Sequence, residues 1–334
     1  MIPFLFLSIL LLGGSFTNRR TQSYLVIAFG FILFILAGFR SISVGTDTEH
    51  YKQYFDIIES GYFLPVEVGW VYLNKLIIFL GGDFQSLLIV TSAITIFPIV
   101  YILRKYSYAP MFSLFLYYNL YIYFYSFNIS RQTLAVTLVF VAIVFLLKNK
   151  SLLYLLFVGI ATLFHTTALV ALPLFFVNRI PDKTFIYVLG ICLTALLGLL
   201  LPIQLAAYLS IFGYANYFEN YEFGNVVGNA LMLVLLNGFF FFVLMNIKVK
   251  DINFKIYFVF ILISNLLARV PFNGRIVMFF SIFLLLFFPY FIQNSKIKEK
   301  PLLYFIITLY ALVMFFRSFG AGEILPYENV LFNI

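Results

Sequence analysis

The chain is 334 residues long, 63% hydrophobic, 21% aromatic and only 10% charged, with a mean hydropathy of +1.05. That composition excludes a water-soluble globular domain and points to a polytopic membrane protein. The net charge of +8 would suggest nucleic acid in a soluble protein; here it reports lysine and arginine in short cytoplasmic loops, and no nucleic-acid partner is expected.

Backbone groups in hydrocarbon must be satisfied internally, and the apolar runs are long rather than alternating with period two, so helices are expected instead of a barrel. The opening run MIPFLFLSILLLGGSF has no basic leader and no small-residue cleavage site, and reads as a retained helix rather than a signal peptide. Spans are expected at about residues 2–16, 22–39, 84–103, 109–125, 132–147, 184–201, 230–247, 256–268, 276–292 and 302–317. The expected fold is therefore an all-α transmembrane bundle of roughly ten spans, a single membrane domain over residues 1–334, with external loops at about 40–66 and 202–229. The single cysteine, Cys192, lies in an apolar run and excludes an internal disulfide.

Two segments resist a simple span assignment. EVGWVYLNKLIIFL, from Glu67 to Leu80, carries Lys75 and has the uneven polarity of an interfacial or re-entrant helix. LLYLLFVGIATLFHTTALVALPLFF, from Leu152 to Phe176, is too long for one ordinary span and holds His165 near its middle. If it turns back at His165, the basic clusters at residues 19–20, 104–105, 148–150, 179–183, 248–255 and 296–300 share one face. If it crosses once, the last clusters change sides, so the positive-inside bias favours a broken hairpin. Non-helical backbone at membrane depth must be buried or line a polar cavity, which makes His165 a cavity residue.

This threading leaves Arg40, Arg131, Arg269, Arg275 and Arg317 on the opposite face, with Lys52 and Lys75 the only lysines expected there. Guanidinium binds phosphate or carboxylate bidentately, and charge near the membrane is costly enough to indicate function. The 40–66 loop adds acidic residues, and the 202–229 loop carries Glu219, Glu222, Tyr208, Tyr214, Tyr217 and Tyr221. Rings and carboxylates of that kind suit sugars, whose C–H faces stack on aromatics; an interfacial aromatic belt is the plainer alternative.

RSISVGTDTEHYKQYF, beginning at Arg40, resembles the R-x-x-x-x-G-T-D-T-x-x-Y-x-x-x-F signature of the EpsG family of exopolysaccharide biosynthesis proteins, relatives of Wzy-type polymerases. EVGW (67–70), FNISRQTLA (127–135), LFHTTAL (163–169), GRIVMFF (274–280) and the terminal LPYENVLF follow the family pattern in order. LFHTTAL departs from it at Thr167, beside which the family more often has serine; the hydroxyl is kept. The resemblance implies a GT-C-like bundle in the bacterial inner membrane that joins polyprenyl-diphosphate-linked oligosaccharide repeats at the extracytoplasmic face. The implied partners are that lipid-linked glycan, membrane lipids, and chain-length regulator and export proteins.

In such a transfer a hydroxyl of one glycan attacks the anomeric carbon of another, and charge builds on the departing diphosphate, where fixed arginines stabilise it. Arg131 and Arg275 are the leading diphosphate binders, with Arg40 and Arg269 behind them. The catalytic base is to be found among His165, Asp47 and Glu67. Each has a structural alternative: an interior hydrogen-bonded histidine, a helix N-cap and a first-turn carboxylate, while Arg131 could anchor to lipid phosphate. Tyr51, Thr46, Thr48, Asn128 and Gln132 are expected to contact glycan or support these groups. No nucleotide-binding glycine loop is present, the two histidines lack metal-ligand spacing, and neither cofactor nor metal is expected. A lipid-linked oligosaccharide flippase and a non-catalytic export scaffold are the competing functions. A flippase is expected to show pseudo-symmetric halves, which this chain does not.

Overall fold

The computed structural model describes residues 1–200, 226–270, 273–319 and 324–331. The run YFENYEFGN and nearly all of the expected 202–229 loop lie outside the described residues. Among those described, the fold is all-α: α1 (Ile2–Gly14), α2 (Arg19–Gly38), α3 (Thr48–Glu59), α4 (Val68–Phe79), α5 (Phe84–Tyr106), α6 (Pro110–Asn119), α7 (Ile122–Asn128), α8 (Ser130–Leu147) and α9 (Ser151–Thr162). A 3-10 segment, Thr166–Arg179, follows. Then come α10 (Thr184–Leu200), α11 (Val226–Asn246), α12 (Ile252–Leu266), α13 (Asn273–Ser281), α14 (Leu284–Asn294) and α15 (Lys300–Phe319).

Four of these, α2, α5, α8 and α15, are long and apolar enough to cross a membrane, and α13 with α14 makes a fifth candidate bent by 50°. Shorter apolar helices fill the rest of the bundle. The stretch expected as one span over 109–125 is broken in two, because Tyr121 adopts φ 68 between α6 and α7. All ten residues of α6 are buried. A helix apolar on every face belongs at the centre of a bundle, and α6 sits there against α1, α2, α5, α14 and α15.

The basic turns gather at one end. Arg19 Nη1 donates to the Ser107 and Tyr108 carbonyls, and Lys148 lies over the Tyr106 ring. Tyr108 packs on Tyr290, whose hydroxyl donates to Val249 O, and Lys250 reaches Thr184. Asn178 lies 3.5 Å from Asn149, so the 3-10 segment returns to the end where α9 began. The stretch 151–179 is thus a hairpin with His165 at its tip. Its arms are held by the Tyr154 hydroxyl, which donates to Ala171 O.

The opposite end, called here the motif end, collects the stretches singled out in the sequence. Backbone of Phe39–Ser41 pairs with that of Glu328–Val330, joining the first motif to the last. Helices α3 and α4 pack together at this end around Tyr51, Phe55 and Trp70. Helix α3 carries an apolar side of Tyr51, Phe55 and Ile58, at helical spacing, and a charged side.

Candidate functional site

Three separated motifs converge on Glu67. Its Oε2 accepts from Arg131 Nη1 at 2.5 Å, and its Oε1 lies 3.3 Å from His165 Nδ1. The Thr166 amide, at the start of the 3-10 segment, also donates to Oε1 at 3.4 Å. Thr167 Oγ1 sits 3.3 Å from His165 Nδ1. The side chains of Glu67, His165 and Arg131 are 14%, 22% and 24% exposed, so the cluster is neither sealed nor free in solvent.

Burial disfavours the Glu67 anion, yet the His165 hydrogen bond and the Arg131 charge outweigh it and hold the carboxyl down at about 2. Glu67 is therefore an anion at neutral pH. A carboxylate at Nδ1 orients the imidazole and leaves the Nε2 lone pair as the group able to accept a proton. The Arg131 guanidinium also lies over the Tyr54 ring at 5.8 Å. Tyr51 is buried beside it, and burial raises its phenol above the ordinary range against the pull of Arg131.

Local sequence explains why Glu67 arrives here. Gly69 N donates to Leu163 O at 2.7 Å, and a Cβ at position 69 would lie 2.6 Å from the same oxygen. Only glycine allows the start of α4 to dock on the end of α9, which brings the EVGW and LFHTTAL motifs together. A second glycine acts alike: Gly45, at φ +96, is packed so that a Cβ would meet Phe127 O at 2.6 Å and Asn128 Oδ1 at 2.7 Å. Asn128 Oδ1 accepts from the Thr46 amide at 2.9 Å, and the buried Thr48 hydroxyl donates to Val44 O and Phe127 O. The first motif is thereby fastened to the end of α7, next to α8, which carries Arg131.

The remaining expected residues fall around this centre. Asp47 precedes α3 but makes no side-chain cap; its Oδ1 accepts from Thr46 Oγ1 at 3.3 Å, and its charge acts on Tyr51. Gln132, buried next to Arg131, donates through Nε2 to Arg275 O and so ties α8 to α13. Arg275 is half-buried and Arg269 exposed. Arg40 lies in the interior, 1% exposed, donating to Ala37 O at 2.5 Å and stacked over Phe127 at 5.1 Å. Burial lowers its guanidinium to about 10. Among the described residues, no three His, Cys, Asp or Glu side chains come together in a way that could hold a metal ion.

The sequence model of the EpsG family matches residues 23–329, nearly the whole chain. The chain belongs to the EpsG family. Membership places it among membrane proteins of exopolysaccharide biosynthesis, and its apolar helices make it multi-pass. No curated protein and no solved structure matches it significantly. Within this EpsG-family chain, the reading of residues overlooked Tyr54 and Gly69. Tyr54 stands three positions after Tyr51, a helical spacing that puts both rings on one side of α3. Gly69 lies within EVGW, and its role depends on a contact 94 residues away.

Proposed function

We propose that this EpsG-family protein is a polysaccharide polymerase that joins polyprenyl-diphosphate-linked repeat units at the extracytoplasmic face of the bacterial inner membrane. The observation that carries the reading is the Glu67–His165 pair, buttressed by Arg131, at the end of the bundle away from the basic clusters. With the lysine-rich end in the cytoplasm, the motif end faces outward. His165 Nε2 takes the proton from the acceptor hydroxyl, whose oxygen forms the new glycosidic bond. The anomeric carbon–oxygen bond of the donor breaks, and polyprenyl diphosphate leaves with the electron pair. Glu67 orients the ring and stabilises the imidazolium, the role a carboxylate plays behind any histidine base.

Arg131 serves that carboxylate first, which assigns the diphosphate to Arg275 and Arg269. Arg40, buried beneath the first motif, is a positioning residue for the segment that holds Asp47 and Tyr51. Tyr51, Thr46 and Asp47 stand on the side from which glycan would approach; Thr48, Asn128 and Gln132 hold the surrounding backbone. Lipid-linked and surface glycans from cells lacking the protein test this reading. Single repeats accumulating outside, with a ladder restored by wild type and not by His165→Gln, support it; repeats retained on the cytoplasmic side favour a flippase, and ladders from His165→Gln refute the assigned base.

A further inference from the structure

Several cations at the lysine-rich end are engaged by oxygen atoms of the protein itself. Arg19 donates to the Ser107 and Tyr108 carbonyls, Lys250 reaches Thr184 and lies 3.9 Å from Asp182, Lys296 donates to Met245 O, and Lys300 donates to Ser295 O. Lys105, in the last turn of α5, and Lys148, directly after α8, are held differently. Both ammonium groups lie over the same Tyr106 ring, at 5.7 Å and 5.0 Å from its centroid. Lys105 Nζ also donates to the Tyr101 hydroxyl at 2.8 Å, which leaves the proton of that phenol to donate elsewhere. Arg104, the residue before Lys105, is fixed through Nε to Ser23 of α2. Among the described residues no carboxylate pairs with Arg104, Lys105 or Lys148. Like charges gathered on one ring without a counter-ion repel, and an anion seated between them relieves that repulsion.

An apolar surface leads away from these cations. Tyr101, Phe97 and Ile94 precede Lys105 at helical spacing, so they share one face of α5, and all three are exposed. Phe97 meets Phe31 of α2 at 5.9 Å, and Phe31 is exposed as well, which widens the surface across two helices. Both helices are long and apolar enough to cross a membrane, so this surface meets hydrocarbon. From Lys105 to Ile94 the stripe runs about 16 Å along the helix axis. That is about half of a hydrocarbon core of about 30 Å, the reach of the acyl chains of one leaflet.

We infer that Lys105, Lys148 and Tyr101 form a site for an anionic phospholipid of the leaflet at the lysine-rich end, with its phosphate between the two ammonium groups and an acyl chain along Tyr101, Phe97 and Ile94. The site lies at the opposite end of the bundle from the Glu67–His165 pair and does not depend on the polymerase reading. Charge complementarity selects the headgroup. A glycerol headgroup leaves the phosphate charge uncompensated, whereas ethanolamine brings a third ammonium to a place that already holds two. The apolar stripe selects a lipid over a free phosphate, which gains nothing from it.

The test is native mass spectrometry of the purified, delipidated full-length protein titrated with dioleoylphosphatidylglycerol or dioleoylphosphatidylethanolamine. Wild type should hold phosphatidylglycerol in preference to phosphatidylethanolamine, and glycerol 3-phosphate should not displace it. Lys105→Gln with Lys148→Gln should weaken phosphatidylglycerol binding about 10–30-fold, and arginine at both positions should restore it. Lys248→Gln with Lys298→Gln removes the same charge from exposed positions at the same end and should leave binding as in wild type. Independently of any variant, phosphatidylglycerol carrying a diazirine on its acyl chain should label wild type within α5 between Ile94 and Tyr101. Equal binding of the two lipids, displacement by glycerol 3-phosphate, equal losses from the two lysine pairs, or labelling away from α5 would overturn the inference.

Discussion

Arg131 Nη1 lies 2.5 Å from Glu67 Oε2, joining residues 64 positions apart. The pairing leaves the second carboxylate oxygen to His165, so one carboxylate links α8, the start of α4 and the tip of the α9 hairpin. Breaking a partly buried pair strands a charge, and removing one partner costs more than the pair itself contributes. Arg131→Ala is therefore expected to destabilise the protein by about 2–4 kcal/mol, and Arg131→Ala with Glu67→Gln by less. Thermal unfolding of the single and double variants in detergent checks this; additive losses would show that the two side chains are not coupled.

The Glu67 carboxyl also sets a pH dependence. Its pKa falls from 4.5 to about 2 on folding, so its contribution is fully present above about pH 4.5 and is lost as pH falls through about 2. Wild type should lose on the order of 3 kcal/mol more than Glu67→Gln across that window. Parallel melts of the two proteins between pH 7 and 2 would show the curves converging on acidification.

Gly69→Ala places a methyl 2.6 Å from the Leu163 carbonyl oxygen, a backbone atom that cannot swing aside. The helix start must move, and Glu67 with it. A loss of about 1–3 kcal/mol is expected, together with polymer synthesis reduced well beyond what the stability change explains. Comparing melting temperature with polymer yield per folded molecule separates the two effects.

Asn237 and Asn265 exchange reciprocal side-chain hydrogen bonds of 2.9 Å between α11 and α12, and Thr194 of α10 joins them at 3.3 Å. Pairs of this kind inside a bundle couple by about 0.6–2 kcal/mol. A double-mutant cycle with Asn237→Leu and Asn265→Leu should return a coupling in that range.

Much of this architecture was legible because lipid imposes strict local rules. Long apolar runs, the positive charge of the turns and the overlong stretch around His165 each report membrane constraints that act along the chain. The hairpin tip at His165 followed from that reasoning. What local pattern could not supply was contact between motifs. Glu67, Arg131 and His165 all stood out as site residues, but nothing in their spacing says that Glu67 faces both others. Arg40 reads in the sequence as a diphosphate binder, since hydropathy does not reveal that it stacks on Phe127 and that its backbone pairs with Asn329. The break at Tyr121 was equally hidden, because a left-handed tyrosine carries no compositional mark.

The proposed function turns on His165, held by Glu67, acting as the base of a glycosyl transfer. The most direct measurement is the pre-steady-state rate at which purified protein in nanodiscs converts lipid-linked repeat units into dimers and longer products, with released polyprenyl diphosphate counted. Wild type should release one polyprenyl diphosphate per linkage formed, and His165→Gln should slow the step by about 10²–10⁴-fold while still binding donor lipid. His165→Gln working at the wild-type rate, or wild type forming no linkage from competent substrate, would contradict the account.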